Sequence, residues 1–337
     1  MKTAESVSPQ HPDKLCDQIS DAILDECLKQ DPLSRVAVET MGGHGIVTVT
    51  GEVTTNAFFD AREIVERIAP GNGVQINIVK QSQDIANGVD PGGAGDQGIM
   101  VGYACKDNPA MIPQEQFLAR DLCQFIWGAT IADGHQDGKT QITLDDDGKI
   151  ETIVASFCNI KKDVLAKLVR TWGIQNSKHT KSLDGSAIDG FIVHINPAGD
   201  WDQGGFEADT GLTGRKLVVD NYGPQVPLGG GCFSGKDSTK VDRSGAYKAR
   251  QLAVKYLIKG GCDRCIVHLA YAIGVSMPVM ATAICLWDGN EKAERINIPI
   301  TDELSPKAII KDLGLRKPIF EETAKWGHFG SGFLWDK

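Results

Sequence analysis

The sequence lacks an excess of positive charge, a recognisable leader segment and any visible repeat. Its 337 residues carry a formal net charge of −9, which argues against a general nucleic-acid-binding protein, because such proteins need a basic surface. The first residues contain no basic stretch followed by an apolar run, so we expect no secretory signal. The nine cysteines are an odd number scattered along the chain. This pattern is typical of reduced thiols and predicts a cytoplasmic protein.

Residues 266–287 contain no Asp, Glu, Lys or Arg, and a stretch of this length could cross a membrane. However, it contains His268, and the turn residues of 274–278 divide it. We therefore predict two buried strands, 265–273 and 279–287, and no membrane insertion. The neighbouring Cys262 and Cys265 form a lone C-x-x-C without nearby histidines, which favours small buried residues over zinc or redox chemistry.

The most informative segment that is present is the glycine-rich loop at 229–244. It begins with three consecutive glycines, which have no side chains to bury and cost backbone entropy in the folded state. Such a loop lets a ligand approach the backbone closely, and an anion is the commonest ligand. Lys236, Lys240 and Arg243 follow directly, and Asp242 is a candidate metal ligand. The combination indicates a polyphosphate site.

This loop is not a P-loop, although residues 230–236 fit the spacing of that motif. The next residue is Asp237, where a P-loop needs a hydroxyl for Mg²⁺, and residues 225–228 are too short and proline-interrupted for a buried strand. Residues 210–264 carry ten Lys/Arg and four Asp/Glu. This excess is compatible with a solvated helix face, but the adjoining glycines favour a pocket for a multiply charged anion.

Hydrophobic periodicity predicts an α+β fold with layered helices and sheets rather than a doubly wound sheet. The clearest helix is 11–30, with His11 at its N-cap and Pro12 at the first helical position. Residues 212–222 are ambiguous between helix and strand. The other predicted helices are 57–68, 114–131, 161–172 and 241–259. The other predicted strands are 36–40, 45–53, 74–80, 99–104, 140–145, 150–157 and 190–195.

A loop of five glycines and a proline at 82–98 suggests a boundary between domains. Loops this long in compact proteins are usually lids, binding loops or disordered segments. We predict an N-terminal domain at 1–83, a mobile lid at 84–98, a central domain at 99–207 and a C-terminal domain at 208–337.

Several segments, in order from one end of the chain to the other, resemble the S-adenosylmethionine synthetase family (methionine adenosyltransferases) of the bacterial and eukaryotic type. Two of them, 93–104 and 229–237, are long and unusual enough to be specific. The other matching segments are 5–14, 38–40, 51–55, 80–85, 209–216, the rest of the loop to 244, 271–275 and 322–330.

The resemblance implies a reaction in which the methionine sulfur attacks C5′ of ATP and the whole triphosphate leaves. The triphosphate is then hydrolysed to pyrophosphate and phosphate. Because the leaving group is strongly negative, we expect preorganised cations and metal rather than a protein nucleophile. The resemblance also implies three similar α/β subdomains, each with a mixed or antiparallel sheet covered by helices on one face. The sheets would form a homodimer or a dimer of dimers with active sites between subunits.

By the same resemblance, His11 lies near the ribose C5′ oxygen and the triphosphate, although alone it would be read as a helix cap. Asp13 and Asp242 match the two Mg²⁺ ligands, whose hard oxygens suit that ion. Glu39 matches the K⁺ ligand. The cations around the triphosphate, which form the catalytic group together with His11, are Lys139, Arg215, Lys216, Lys236 and Lys240.

Substrate contacts are implied in the same way. The residues matched to methionine are Glu52, Gln81, Asp209 and Lys240, and a carboxylate there would pair with the ammonium group. The residues matched to ATP, besides His11 and the cations Lys139, Arg215, Lys216 and Lys236, are Asp137, Trp201, Asp209 and Cys232. Cys232 stands where relatives often have alanine, so we interpret it as a wall of the pocket.

The chain departs from the family pattern in four places. Gln10 replaces a glycine, the lid is shorter, and the region 56–80 is trimmed. Asp200 and Trp201 replace an Arg-Phe pair that holds and stacks on adenine; tryptophan can still stack, but an acid replaces a base. These changes leave open a related enzyme with altered nucleotide choice or triphosphatase activity. A non-catalytic oligomerisation partner is disfavoured, because the matched lysines and aspartates are all retained.

Overall fold

The computed structural model describes residues 1–81, 92–131, 137–179, 191–290 and 292–337. These residues form three four-stranded sheets. The strands are β1 (Lys2–Val7), β2 (Arg35–Gly43), β3 (Ile46–Thr54), β4 (Gly73–Val79), β5 (Gly98–Cys105), β6 (Gly138–Leu144), β7 (Ile150–Phe157), β8 (Ile192–Ile195), β9 (Gly211–Leu212), β10 (Arg264–Tyr271), β11 (Met280–Trp287) and β12 (Lys292–Asn297).

The α-helices of the described residues are α1 (Pro12–Gln30), α2 (Ala61–Ile68), α3 (Gln114–Thr130), α4 (Lys162–Gln175), α5 (Leu217–Asp220), α6 (Val241–Gly260), α7 (Pro306–Asp312) and α8 (Phe320–Trp326). The predicted α+β class is confirmed. The strand orders are β4-β3-β2-β9, β1-β6-β7-β8 and β12-β11-β10-β5. The first two sheets are mixed, because β3 pairs with β4 and β7 with β8 in parallel, whereas the third is antiparallel throughout.

Each sheet borrows one strand from a distant part of the chain. β1 pairs with β6, with Lys2 opposite Leu144. β5 pairs with β10, with Gly98 opposite Tyr271, and β9 pairs with β2. The predicted domains are consecutive segments of the chain, and their limits remain a prediction. Each sheet combines strands from more than one of these segments.

The strands bury one face and expose the other, as period-two alternation requires. In β2, Val36, Val38 and Thr40 are buried, whereas Glu39 and Met41 are exposed. One hydrophobic core joins the sheets β4-β3-β2-β9 and β12-β11-β10-β5 around α1 and α6. A second core packs α3 and α4 on β6 and β7.

Helix α1 is buried on all sides, which the amphipathic pattern did not predict. Its apolar residues follow the predicted stripe, with Ile19 and Ile23 fully buried. A helix at the surface would expose its charges, but here the segment 211–220 and α8 cover that face. The charged residues buried on α1 are Asp13, Lys14, Asp17, Asp21 and Asp25.

Most predicted elements are present with small shifts of their ends. His11 caps α1 by accepting a hydrogen bond from the Asp13 amide, as predicted. The helix predicted from residue 57 begins at Ala61, because the side chain of Asp60 caps it there. The ambiguous region 212–222 holds the end of β9 and the short helix α5. The elements β1, β12, α7 and α8 were not predicted.

Two further sequence predictions meet the structure only in part. Residues 265–273 and 279–287 form β10 and β11 with slightly different ends, and no helix of the described residues is long and apolar enough to cross a membrane. Residues 84–91 of the predicted lid lie outside the described residues.

Asp25 on α1 predicts a pH-dependent stability. Its carboxylate accepts hydrogen bonds from the Phe320 and Glu321 amides at 2.9 Å each, at the start of α8. Burial raises the pKa of Asp25 from 3.8 to about 6. The folded protein therefore holds this proton more tightly than the unfolded chain, and the resulting stabilisation is lost as pH rises from about 4 through 6.

Asp25→Asn should accordingly gain stability relative to the unsubstituted protein as pH rises from about 4 to 7, as measured by urea unfolding across this range. Asp31→Asn is the matched control. Backbone hydrogen bonds from Asn56 and Leu33 lower the pKa of Asp31. The stability of Asp31→Asn relative to the unsubstituted protein should therefore fall as pH rises. A pH-independent difference for Asp25→Asn would contradict the prediction.

Candidate active site

The glycine-rich loop is fastened to α1 by a buried ion pair. Arg243, in the first turn of α6, pairs with both carboxylate oxygens of Asp21 at 2.6 and 2.8 Å. The same guanidinium donates to the Phe233 and Lys236 carbonyls of the loop. The Asp21 carboxylate also accepts from the Gly235 amide. Arg243 is fully buried, so it positions the loop rather than facing an anion.

A second set of contacts attaches the loop to the edge of β2 through Asp237. The Asp237 amide donates to the Val36 carbonyl, and the Val36 amide donates to the Asp237 carboxylate at 2.8 Å. Gly235 (φ +80°) lies so close that a Cβ there would be 1.9 Å from the Val38 carbonyl oxygen. The residue that breaks the P-loop pattern is therefore the anchor of this loop, and it also pairs with Lys240.

The three consecutive glycines are needed for contacts within the protein itself. A Cβ at Gly229 would lie 2.3 Å from the Ile99 carbonyl oxygen. The Gly231 amide donates to the Asp242 carboxylate at 2.9 Å. Close packing on β5 and α6 therefore explains part of this run, which the sequence attributed to a ligand alone.

Asp13 and Asp242, the two predicted Mg²⁺ ligands, are each paired with predicted triphosphate cations. Asp13 accepts a hydrogen bond from Lys216 at 2.5 Å and forms an ion pair with Arg215 at 2.9 Å. Asp242 accepts from Lys236 at 2.5 Å. Burial disfavours the charged form of Asp13, but hydrogen bonds from Lys216 and the Leu212 amide outweigh it and lower its pKa.

These two carboxylates fit Mg²⁺ as it is bound in phosphate sites. The described residues contain no group of three or more His, Cys, Asp or Glu side chains that could hold a metal, so they do not build an all-protein cage. Mg²⁺ bound with nucleotide commonly uses one or two carboxylates together with substrate phosphates and water. Asp13 and Asp242 supply that number of hard oxygen ligands.

His11 is a neutral hydrogen-bond donor. Its Nδ1 accepts from the Asp13 amide at 3.1 Å, so the proton of the neutral ring lies on Nε2. Burial and the nearby Lys216 and Lys139 ammonium groups lower the pKa of His11 to about 3. The cap geometry and the predicted catalytic role therefore involve different ring nitrogens and are compatible.

Glu39 and Glu52 project from the exposed face of the sheet beside the loop. Glu39 lies opposite Thr50, and Glu52 lies opposite Ala37, across the β2–β3 pair. Loss of solvation raises the pKa of Glu39, Lys236 lowers it, and the Glu52 carboxylate raises it again. Glu39 therefore lies within electrostatic reach of both Lys236 and Glu52.

The remaining predicted residues are placed around the same region. Asp137 is buried, its carboxylate accepts from the Gly205 amide at 3.0 Å, and burial raises its pKa. Lys139 is exposed on β6, within the electrostatic reach of His11. Cys232 packs so tightly on Gly214 that a Cβ on this glycine would be 2.3 Å from the Cys232 Cβ; burial raises the pKa of the thiol.

Three of the predicted substrate contacts, Asp209, Trp201 and Gln81, make few hydrogen bonds to the described residues. Asp209 is exposed, and its carboxylate accepts from the Thr210 amide. Trp201 is half-buried, and its carbonyl accepts from the Asn159 amide. The Oε1 atom of Gln81 is buried and has no hydrogen-bond partner among the described residues.

Asp200, the acid that replaces a base of the family pattern, is engaged at the start of α4. Its carboxylate accepts from the Lys162 amide at 2.9 Å and from the Asn196 side-chain amide at 3.2 Å. Free amides at a helix N-terminus favour a carboxylate there. This local role accounts for the acid.

The sequence did not reveal the buried charges that hold the segment carrying Arg215 and Lys216. Lys14 donates to Asp17 at 3.1 Å and to Asp220 at 2.6 Å, and Asp17 also accepts from the Gly214 amide. The segment carrying Arg215 and Lys216 is thereby tied to α1. The only available signal was the run of charged residues inside a predicted helix.

Comparison with known proteins identifies the family to which the chain belongs. Models for the S-adenosylmethionine synthetase N-terminal, central and C-terminal domains match residues 1–83, 91–201 and 203–337. The S-adenosylmethionine synthase of Treponema denticola is 41% identical, with 99% of this chain and 95% of the relative covered. Those of Desulforudis audaxviator and a Nitratiruptor species are 41% and 39% identical, with at least 98% of this chain and 93% of each relative covered.

The fold has three sheets, and its candidate site combines cations with aspartates. S-adenosylmethionine synthases match the chain along almost its whole length, so the protein is a transferase. More particularly, the chain belongs to the S-adenosylmethionine synthetase family, the methionine adenosyltransferases. The family resemblance inferred from the sequence is therefore confirmed.

The double role of Asp237 gives a prediction about stability. Asp237→Ala removes the hydrogen bond to the Val36 amide and leaves Lys240 without its partner. We expect a loss of about 2 kcal/mol in the free energy of unfolding, measured by urea denaturation. Asp237→Asn keeps an acceptor for Val36 and should lose less. Equal stability of Asp237→Ala and the unsubstituted protein would show that the anchor is dispensable.

Proposed function

We propose that the protein forms S-adenosylmethionine from ATP and L-methionine at this site. The methionine sulfur attacks C5′ of the ribose, the new sulfur–carbon bond replaces the C5′–O5′ bond, and triphosphate leaves. Water then hydrolyses the triphosphate to pyrophosphate and phosphate. The pairing of Arg215 and Lys216 with Asp13, and of Lys236 with Asp242, supports this reaction, since a departing polyphosphate needs preorganised positive charge.

His11 and the lysines have complementary roles in this proposal. The Nε2–H of His11 donates a hydrogen bond to O5′ as that oxygen becomes negative, without adding a charge that would bind ATP itself more tightly. Lys216 and Lys236 pass from the aspartates to the phosphate oxygens, and Lys139, Arg215 and Lys240 extend the positive lining. The buried carboxylates hold these lysines at the site before the substrate binds.

Asp13 and Asp242 are the proposed Mg²⁺ ligands, and Glu39 is the proposed K⁺ ligand. Bound Mg²⁺ would neutralise the charge that develops on the triphosphate. The aspartate oxygens are hard ligands suited to this ion. Lys216 and Lys236, which pair with these aspartates, would then be available to bind phosphate oxygens.

Methionine is proposed to bind beside the exposed sheet face. Glu52 and Asp209 would pair with its ammonium group, and Lys240 with its carboxylate. The Oε1 atom of Gln81, without a partner among the described residues, is available as a further acceptor. Trp201, Asp137 and Cys232 are the proposed contacts of ATP.

A homodimer is proposed because the outer sheet faces are apolar and exposed. Met41, Ile46 and Val79 lie on the exposed face that also carries the glutamates, and each has about half its surface exposed. Ile99 and Met280 are exposed on the outer face of the sheet containing β10. Pairing of these faces between two copies would bury apolar surface and enclose the site.

A cytoplasmic location is also proposed. All nine cysteines fall within the described residues, and each is a free thiol. Free buried thiols are the usual state in a reducing compartment.

The direct test incubates purified protein with methionine, ATP, Mg²⁺ and K⁺, and separates the products by chromatography. We expect S-adenosylmethionine, phosphate and pyrophosphate in equal amounts, with a fall to background when Mg²⁺ is omitted and a smaller fall without K⁺. Lys236→Ala should lose about 10²–10³-fold in turnover, because it removes a charge that stabilises the leaving group.

The control for Lys236→Ala is Lys29→Ala, which removes an exposed lysine paired with Glu26 on α1 and should leave turnover unchanged. Urea unfolding distinguishes a catalytic loss from a folding defect. Absence of any sulfonium product from the unsubstituted protein would exclude the proposed function.

Asp200 gives a separate prediction about ATP recognition. Since its carboxylate binds the start of α4, Asp200→Ala should lower the free energy of unfolding by about 1 kcal/mol and leave the KM for ATP unchanged. Trp201→Ala, which removes the proposed stacking surface, should raise that KM. A large increase in KM for Asp200→Ala would instead place this acid against the nucleotide.

A further inference from the structure

Two lysines on α6 have no role in the site described above. Residues 210–264 carry ten Lys/Arg, and eight of them form ion pairs with aspartates of the described structure. The other two are Lys255 and Lys259, which are exposed and form no ion pair with a described residue. The positive charge of this stretch that aspartates leave unpaired is therefore concentrated on one part of α6.

The spacing of these two lysines is unfavourable for the helix itself. Side chains four residues apart lie on the same face of a helix, where like charges repel each other. The only acidic residue of α6 is Asp242, in its first turn, so no carboxylate of the helix lies beside the pair. The helix dipole favours a cation in the last turn and accounts for Lys259, but Lys255 lies a full turn earlier. An anion bound between the two would relieve their repulsion.

Both lysines line a cavity of about 930 Å³ between the second half of α6, α7 and the segment that joins β12 to α7. This volume lies near the upper end of the range of about 300–1,000 Å³ that is usual for small-molecule sites. The buried Leu252, Ile298 and Leu304 form its apolar floor. Ile258 lies on its wall and is 65% exposed, so a ligand can reach apolar surface there.

The other charged residues of the cavity wall balance one another. Lys248 pairs with Asp312 at 2.9 Å, and Lys337 and Glu303 carry opposite charges. The net positive charge of the wall therefore comes from the two unpaired lysines of α6. None of the residues predicted for ATP, methionine or metal lines this cavity.

We propose that this cavity binds an aliphatic carboxylate, with its carboxylate group between Lys255 and Lys259 and its hydrocarbon chain on the apolar floor. The two ammonium groups supply charge-assisted hydrogen bonds to the head group. The methylene stems of the lysines extend the apolar surface along which the chain lies. This site is separate from the proposed active site and does not rest on the proposed reaction.

The test uses dodecanoate, below its micelle concentration, and isothermal titration calorimetry on the full chain. We expect one saturable site per chain with a Kd of about 1 mM or lower. Decanoate should bind about tenfold more weakly, because it buries two fewer methylene groups. Dodecyltrimethylammonium, which has the same chain and a positive head group, should not bind. The absence of saturable dodecanoate binding, or equal affinity for the two head groups, would overturn the proposal.

The head-group contact is tested by removing both charges. The double variant Lys255→Gln, Lys259→Gln should weaken dodecanoate about tenfold or more, without a loss in the free energy of unfolding, because the repulsion between the lysines is removed as well. The matched control is Lys162→Gln, Lys167→Gln, which removes two exposed lysines of α4 and should bind dodecanoate normally. Equal weakening in both double variants would show that only the overall charge matters, and would reject the site.

Two further variants locate the bound carboxylate. Glu303→Gln removes the negative charge of the wall and should tighten dodecanoate, whereas weaker binding by this variant would contradict the proposed position of the head group. Lys236→Ala, in the proposed active site, should bind dodecanoate as tightly as the unsubstituted protein. If Lys236→Ala folds but loses this binding, dodecanoate occupies the phosphate site instead and the proposal fails.

Discussion

Asp21 and Arg243 form an ion pair that is entirely removed from solvent, and the glycine-rich loop depends on it for its position. Arg243, at the start of α6, donates hydrogen bonds to two carbonyls of the loop, and Asp21, on α1, accepts one from a loop amide. Removing one partner of such a pair costs about 3–5 kcal/mol, because the other charge is left buried. The loop carrying Lys236 and Lys240 is therefore as well fixed as the core itself.

The same principle extends to the rest of the site. Lys14, Asp17 and Asp220 fix the segment that carries Arg215 and Lys216. Arg215, Lys216, Lys236 and Lys240 thus rest on a layer of buried charges that neutralise one another. Such a layer keeps the positive groups together against their own repulsion, and it explains why α1 contains so many buried carboxylates.

Sequence patterns predicted well those features that follow from local chemistry. The spacing of apolar residues and Pro12 indicated α1 and the His11 cap, and the resemblance singled out Lys236 and Asp242, which form an ion pair. Sheet membership was not predictable, because period-two alternation says nothing about which distant strand completes a sheet. The buried ion pairs were missed because charged residues inside a helix normally indicate a solvated face.

The interleaving of the sheets has a consequence for how the chain acquires its structure. β1 cannot pair until β6 has been synthesised, and β5 must wait for β10. Contacts this distant along the chain slow folding, because loop closure precedes any gain from pairing. The nascent chain therefore carries unpaired strand edges through most of its synthesis, which is the period of greatest risk for aggregation and for dependence on chaperones.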